Sequence, residues 1–263
     1  ISGTASFDST DNAITDSGTL AITGATTIDA GSSNITLTEA ASTFGSLSLT
    51  GANVAVTESD ATELAASTVS GTFDIISGGA ITNSGALAIT GASTFTNTAG
   101  TDAAITLANA GNAFTGTVGF STDSGSAVTV VDTTALDLQA LTAASLSVTA
   151  GGDVTDSGTL AITGATTIDA GSADITLTEA SSTFGALALT GANVSVVENA
   201  AMELAASTIS GTASFDSTDN AITDSGTLAI TGATTIDAGT ADITLTEAAS
   251  TFGALALTGA NVS

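Results

Sequence analysis

The sequence predicts an all-β chain wound as a β-solenoid, on three observations. Ile1–Val54 returns almost letter for letter at Ile209–Val262. Within it, short segments alternate branched apolar residues with small or polar ones. Those segments recur, between turn residues, at a long and nearly regular spacing. The two copies differ only where Ser32, Ser33, Asn34, Ser46 and Ser48 become Thr240, Ala241, Asp242, Ala254 and Ala256, and a third, partial copy starts at Val154. Self-copying of this kind marks a repeat architecture, in which one supersecondary unit stacks on the next.

The strands come first in that reading. Leu20–Thr23, Ile35–Thr38, Leu47–Thr50 and Val54–Thr57 each alternate with period two, as a strand with one buried face does. Between them lie Asp16-Ser17-Gly18, Asp29-Ala30-Gly31 and Gly51-Ala52-Asn53, residues that tolerate positive φ or bond their own backbone. Thr, Ser and Gly dominate and caps are absent, so helices are not expected. Ala61–Ala66 and its cousin Ala200–Ala206 are the one composition that fits a helical turn.

The longer period follows from large apolar residues that open equivalent segments: Leu20, Phe44, Val69, Leu87, Phe114, Leu141, Leu160, Phe184, Ile209, Leu228 and Phe252. Their spacings run from 18 to 27 residues, enough for two or three short strands and their turns. Taken in threes they give a super-repeat of about three coils per 68 residues, with units at 20–86, 87–159, 160–227 and a partial 228–263. Residues 1–263 are thus expected to form one continuous solenoid, a window of a longer chain. Stacked coils pair each strand with neighbours above and below, ~4.8 Å away. The absence of Pro agrees with a ladder that needs its N–H groups. A string of immunoglobulin-like sandwiches fits less well, because 68 residues is short for such a domain and no Trp or Tyr is present.

Composition excludes whole classes of function. The chain has no Lys, Arg, His, Pro, Cys, Trp or Tyr, and 26 acidic residues give a formal charge of −26. Phosphate contacts need cationic side chains, so nucleic acid and anionic lipid headgroups are not expected partners. Without Cys there are no disulfides or thiolate ligands. A disordered chain is not expected either, since 43% of residues are apolar and they are patterned. No apolar run approaches the ~20 residues of a membrane helix, so no membrane insertion is expected.

The segments Phe44-Gly-Ser-Leu-Ser-Leu-Thr-Gly-Ala-Asn-Val and Val154-Thr-Asp-Ser-Gly-Thr-Leu-Ala-Ile-Thr-Gly-Ala-Thr-Thr-Ile resemble the repeats of filamentous-haemagglutinin-like exoproteins, large repetitive bacterial surface adhesins. The resemblance rests on strand periodicity and turn residues rather than a catalytic signature. It implies a right-handed parallel β-helix, secreted and displayed as a fibre. The total lack of Lys and Arg departs from a typical member.

Acids recur at matched positions: Asp16, Asp156 and Asp224; Asp29, Asp169 and Asp237; Glu39, Glu179 and Glu247; Glu58 and Glu198. They read as solvated acidic turns that keep a long fibre soluble. The six Asp are also weak candidates for calcium ligands, since turn carboxylates and carbonyls supply the oxygens calcium prefers; no other cofactor is expected. Asp8 with Asp11, repeated as Asp216 with Asp219, has the turn spacing of a carboxylate pair. No basic or phenolic residue exists to work beside it, and no catalytic residue is expected. Thr36/Thr38, Thr176/Thr178 and Thr244/Thr246 form T-x-T rows of the kind an ice-binding face uses, though Thr is also simply a good strand residue. Phe44, Phe114, Phe184 and Phe252 are expected in the core, and Asn53, Asn193 and Asn261 in matched turns. Asn34, Asn193 and Asn261 fit the N-x-[ST] acceptor pattern, which is frequent by chance here. The expected function is an extracellular or cell-surface structural fibre or adhesin stalk that associates with itself end to end or laterally, with cell-surface or matrix components as further partners. The alternative is a module whose repeated face binds a glycan, ice or calcium.

Overall fold

A computed structural model describes residues 1–99, 103–122 and 125–263. Contacts divide the chain into two compact units, Ile1–Thr134 and Ala135–Ser263. Each is built from parallel strands stacked coil upon coil, giving an all-β parallel β-solenoid of about 12 turns. There are no helices among the described residues. The stretches that suggested a helical turn hold the strands Thr62–Leu64 and Met202–Leu204 instead. Stacking on neighbouring coils satisfies their backbone and buries Leu64 and Leu204, which outweighs the weak local helix propensity of Ala and Glu.

Three strands make a coil. In the first unit Val54–Glu58, Thr62–Leu64 and Ser67–Val69 complete one circuit, and Phe73–Ser77 returns onto Val54–Glu58 in register. The chain always circulates in one sense, so every stacked pair is parallel. One column runs Ile35 to Val54, Phe73, Ser93 and Val118, in steps of 19, 19, 20 and 25 residues. All five side chains point inward and are buried. In the second unit Val154, Ile175, Val194, Ala213 and Thr234 form the matching column, in steps of 21, 19, 19 and 21. Burying a large apolar side chain contributes about 1.5–3 kcal/mol, and these columns make that gain at Ile35, Val54, Phe73, Val118, Val154, Ile175 and Val194, while Ser93, Ala213 and Thr234 take the remaining places.

The sequence repeat is longer than a whole number of coils. Three coils carry Ile35 to Ser93, and the next strand along the chain is Ile105–Leu107, which repeats the Ile-Thr-Leu of Ile35–Leu37. That second copy stacks on Ile81 and Thr62, in a different column. The second unit does the same: three coils carry Ile175 to Thr234, and the Ile-Thr of the next copy, Ile243–Thr244, stacks on Ile222 and Met202. Each repeat therefore advances three coils and one strand. The same segment reappears one face further round the coil.

Glycine corners follow this screw. After Ile22 the long strand Ala21–Asp29 shifts register at Gly24, and a Cβ there would lie 2.6 Å from the backbone of Gly3. Gly45 sits over Thr23 and Gly24 in the same way. Further on, Gly71, Gly91 and Gly116 stack at the next corner of the coil, between Ser67–Val69 and Phe73–Ser77 and their successors, with Cβ positions 2.3–2.5 Å from the atoms below. At Gly91 and Gly116 the near atoms are backbone, whereas at Gly71 the nearest is Asn53 Oδ1, with the Ala52 carbonyl oxygen at 2.9 Å.

The expected coil openers need correction in phase. Phe44 pairs with Ile22, Phe114 with Ile89 and Phe252 with Ile230, each two residues beyond the expected Leu20, Leu87 and Leu228. Two residues is one strand period, so both choices point inward and alternation alone cannot separate them. Val69 and Ile209 lie over Gly51 and Gly191, not over Phe44 and Phe184, because there the sequence repeat steps to the next face. The core assignment of phenylalanine holds for Phe44, Phe114 and Phe184, which are buried, whereas Phe252 is half-buried.

Candidate functional site

Three sets of polar side chains recur with the repeat. The first is the acidic turns. Asp16 accepts the N–H groups of Thr38 and Glu39 from the next coil, both at 3.2 Å. Asp156 takes Thr178 and Glu179 at 2.8 and 3.2 Å, and Asp224 takes Thr246 and Glu247 at 2.7 and 3.2 Å. Asp29, Asp169 and Asp237 each accept the N–H two residues on, from Gly31, Gly171 and Gly239, at 2.8, 2.9 and 2.8 Å. This is the local bond that makes Asp a turn residue. All six candidate metal ligands are thus engaged with backbone, and three of them tie one coil to the next. Burial pushes the Asp156 carboxyl above its ordinary range, and its two N–H partners offset part of that. Among the described residues, no group of three or more acids is placed to hold a metal ion. Asp8 and Asp11 are turn caps as well, accepting from Thr10 and Ser32, and Thr10 and Asp11 stand at φ 49° and 64°.

The second set is a ladder of amides and carboxylates at one turn. Asn53 donates its N–H and its side-chain amide to Asn34 Oδ1, and its own Oδ1 accepts from Thr72. In the second unit the ladder reads Asp153, Asp174, Asn193 and Thr212, with Asn193 donating twice to Asp174 at 2.9 Å. Asn261 repeats the contact with Asp242. This is the turn role expected of these asparagines.

The third set is absent from the sequence expectation, which placed Glu58 and Glu198 in solvated turns. Both are buried, 2% and 0% exposed. Glu58 Oε1 accepts the main-chain N–H of Phe44 at 2.6 Å, and Glu198 Oε1 accepts that of Phe184 at 2.6 Å. Asp132 occupies the same place, accepting from Phe114 at 3.2 Å. The second oxygen of each carboxyl is buried without a hydrogen-bond partner. Burial drives both Glu carboxyls up to about 7; for Glu58 the neighbouring Asp60 adds to the rise, and for both the Phe N–H offsets part of it. Burial likewise raises Asp132, against its bonds from Thr134 and Phe114. The signal was present in the strand: Val54, Val56 and Glu58 share one parity, so the face that buries the valines buries the acid too.

One outward row also escaped the sequence reading. Thr155, Thr176, Ser195, Ser214 and Thr235 stand in register on five successive coils, where the Thr36 row of the first unit is broken by Ala55 and Asp74. No helix among the described residues is long and apolar enough to cross a membrane.

Stacked coils, a copied repeat and polar side chains spent on holding coils together define a β-solenoid repeat protein. The chain belongs to the family described as Repeats of unknown function (DUF5649), whose model matches residues 1–50, 51–121, 125–190 and 191–259. No curated protein and no solved structure matches it.

Proposed function

We propose that this chain is a structural segment of an extracellular fibre or adhesin stalk, exposed at the cell surface and able to associate with further copies. The observation that carries this reading is where the recurring polar groups go. The matched acids and amides bond the backbone of their own turn or of a neighbouring coil, so what the repeat perpetuates is the stack itself. The screw supports it as well, since successive repeats turn their equivalent segments to different faces. Such a layout suits a strut better than a single flat adsorbing face. No catalytic role is proposed for any residue.

A second reading, a repeated-face binding module for a glycan, ice or calcium, is favoured only by the hydroxyl row from Thr155 to Thr235. Adding or removing one family repeat in the native polypeptide separates the two. A strut changes in length by about 16 Å per repeat, three and a third coils at ~4.8 Å each, as seen by electron microscopy of the purified protein. An unchanged length sinks the strut. Saturable binding of glycan, calcium or ice that scales with repeat number would establish the module instead.

A further inference from the structure

We propose that Glu58 and Glu198 are protonation-controlled locks: as neutral acids they close the corner between one coil and the next, and on ionisation they release it. Each is nine-tenths or more buried, each receives the Phe N–H of the neighbouring strand on one oxygen, and each keeps its other oxygen in the interior without a partner. An ionised carboxylate in that place needs a counter-charge, and an unpaired buried charge is costly enough that the group takes up a proton instead. The chain cannot supply the counter-charge, because it contains no Lys, Arg or His anywhere. The corner is also a hinge point. The strand ends at Glu58, the turn Ser59–Ala61 is exposed, and Ser59 N–H and hydroxyl reach back to the Ser42 carbonyl of the preceding coil. Losing the Glu58 contact leaves that turn held by the Ser59 bonds to Ser42 and the Ser77 hydroxyl on the Asp60 carbonyl.

The charged surroundings reinforce the direction. Asp60, in the same turn, is the ionisable group that bears on Glu58. Glu39 on the coil before, Asp74 on the coil after and Glu63 on the following strand are all exposed, and all are acidic. Around Glu198 stand Glu179 and Glu203, both exposed, and half-buried Asp216 on the coil after, two residues beyond the place of Asp74. None of these charged neighbours favours the ionised form; only the Phe N–H groups, and for Glu58 the Thr62 hydroxyl, do so, and they offset part of the rise. Burial holds both carboxyls near 7, above their ordinary 4.5, so the folded state keeps protons that the unfolded chain has released. Stability is therefore full below the ordinary value and is lost as pH rises toward and through about 7. Each carboxyl lowers the folding equilibrium constant by up to about tenfold per pH unit across that window.

The test is thermal unfolding of the whole chain, followed by far-UV circular dichroism from pH 5 to 9 at fixed ionic strength, for the wild type and for E58Q/E198Q. The amide keeps an oxygen for the Phe N–H but cannot ionise. The wild-type midpoint is expected to fall across the window and the double variant to lose most of that fall. An equal fall in the double variant overturns the proposal, because the remaining acids, buried Asp132 and those on the surface, would then account for it. Recovery of the wild-type midpoint at pH 8 on adding calcium or sodium at matched ionic strength also overturns it, in favour of a cation site. Should the double variant not fold, the wild type decides through its infrared carbonyl band. A protonated-carboxyl band present at pH 6 and gone at pH 9 supports the lock, and its absence at pH 6 refutes it.

Discussion

Replacing Gly116 by alanine is expected to destabilise the protein by about 3 kcal/mol, the upper end of what overpacking costs. A Cβ at this position would lie 2.3 Å from the Gly91 carbonyl oxygen and 2.4 Å from its carbon. Those are backbone atoms of the neighbouring coil, so no rotamer change can relieve the clash. The coils must part locally, which also strains the Thr115 N–H bond to the Ile89 carbonyl. Gly18→Ala is the matched control. It meets nothing within 4 Å, and its effect is expected within about 0.5 kcal/mol of zero or slightly stabilising, because alanine restricts the unfolded chain. Urea unfolding of both variants reads the difference. Equal stability of the two would mean that coils do not approach each other at the glycine corner.

Phe95→Ala is expected to cost about 4 kcal/mol, the usual range for emptying a buried aromatic site. Phe95 is fully buried and makes three ring contacts: edge-on to Phe73 at 5.8 Å, edge-on to Phe114 at 6.1 Å and stacked on Phe120 at 5.8 Å. These rings come from three successive coils, with Phe95 and Phe120 direct register partners. Removing the central ring therefore leaves a cavity that neither neighbouring coil can fill without shifting register. Phe7→Ala, at a ring 37% exposed, is expected to cost less than about 1 kcal/mol, since much of its surface already meets water. The same denaturation experiment checks both, and a small effect at Phe95 would deny that the rings form one interior.

The strand content and the coil stacking were legible in the sequence because both depend on period-two alternation and on turn residues, which act locally. Ile35-Thr36-Leu37 and Val54-Ala55-Val56 face as their alternation requires. Phase was harder. Leu20 and Ile22 share the inward parity, and only the glycine corner at Gly24 decides which of them meets Phe44. The extra strand in each repeat escaped for a related reason. Its only trace is that coils of about 20 residues do not divide evenly into a 70-residue spacing between the Ile-Thr-Leu copies, and variable turns blur that remainder.

The candidate site divided along physical lines. Asp16 and Asp29 were placed in turns from their neighbours, but their bonding partners lie partly on another coil, beyond the reach of local pattern. Glu58 and Glu198 were assigned to water because Glu is seldom buried. The parity of Val54, Val56 and Glu58 pointed the other way and prevailed, because a single inward polar group costs less than breaking the register of a whole strand.

The most direct measurement is disulfide formation between paired cysteines, made simple by a chain that contains none of its own. Thr176 and Ser195 are register partners on adjacent coils and both side chains face outward, so Thr176→Cys with Ser195→Cys should oxidise readily to a cross-link. If the repeat instead spanned three whole coils, a coil would be about 23 residues and Thr176 would lie beside Asn199. Cross-linking of T176C/S195C without cross-linking of T176C/N199C is the predicted result. The reverse pattern would contradict both the 19-residue coil at this point and the advance of each repeat by three coils and one strand.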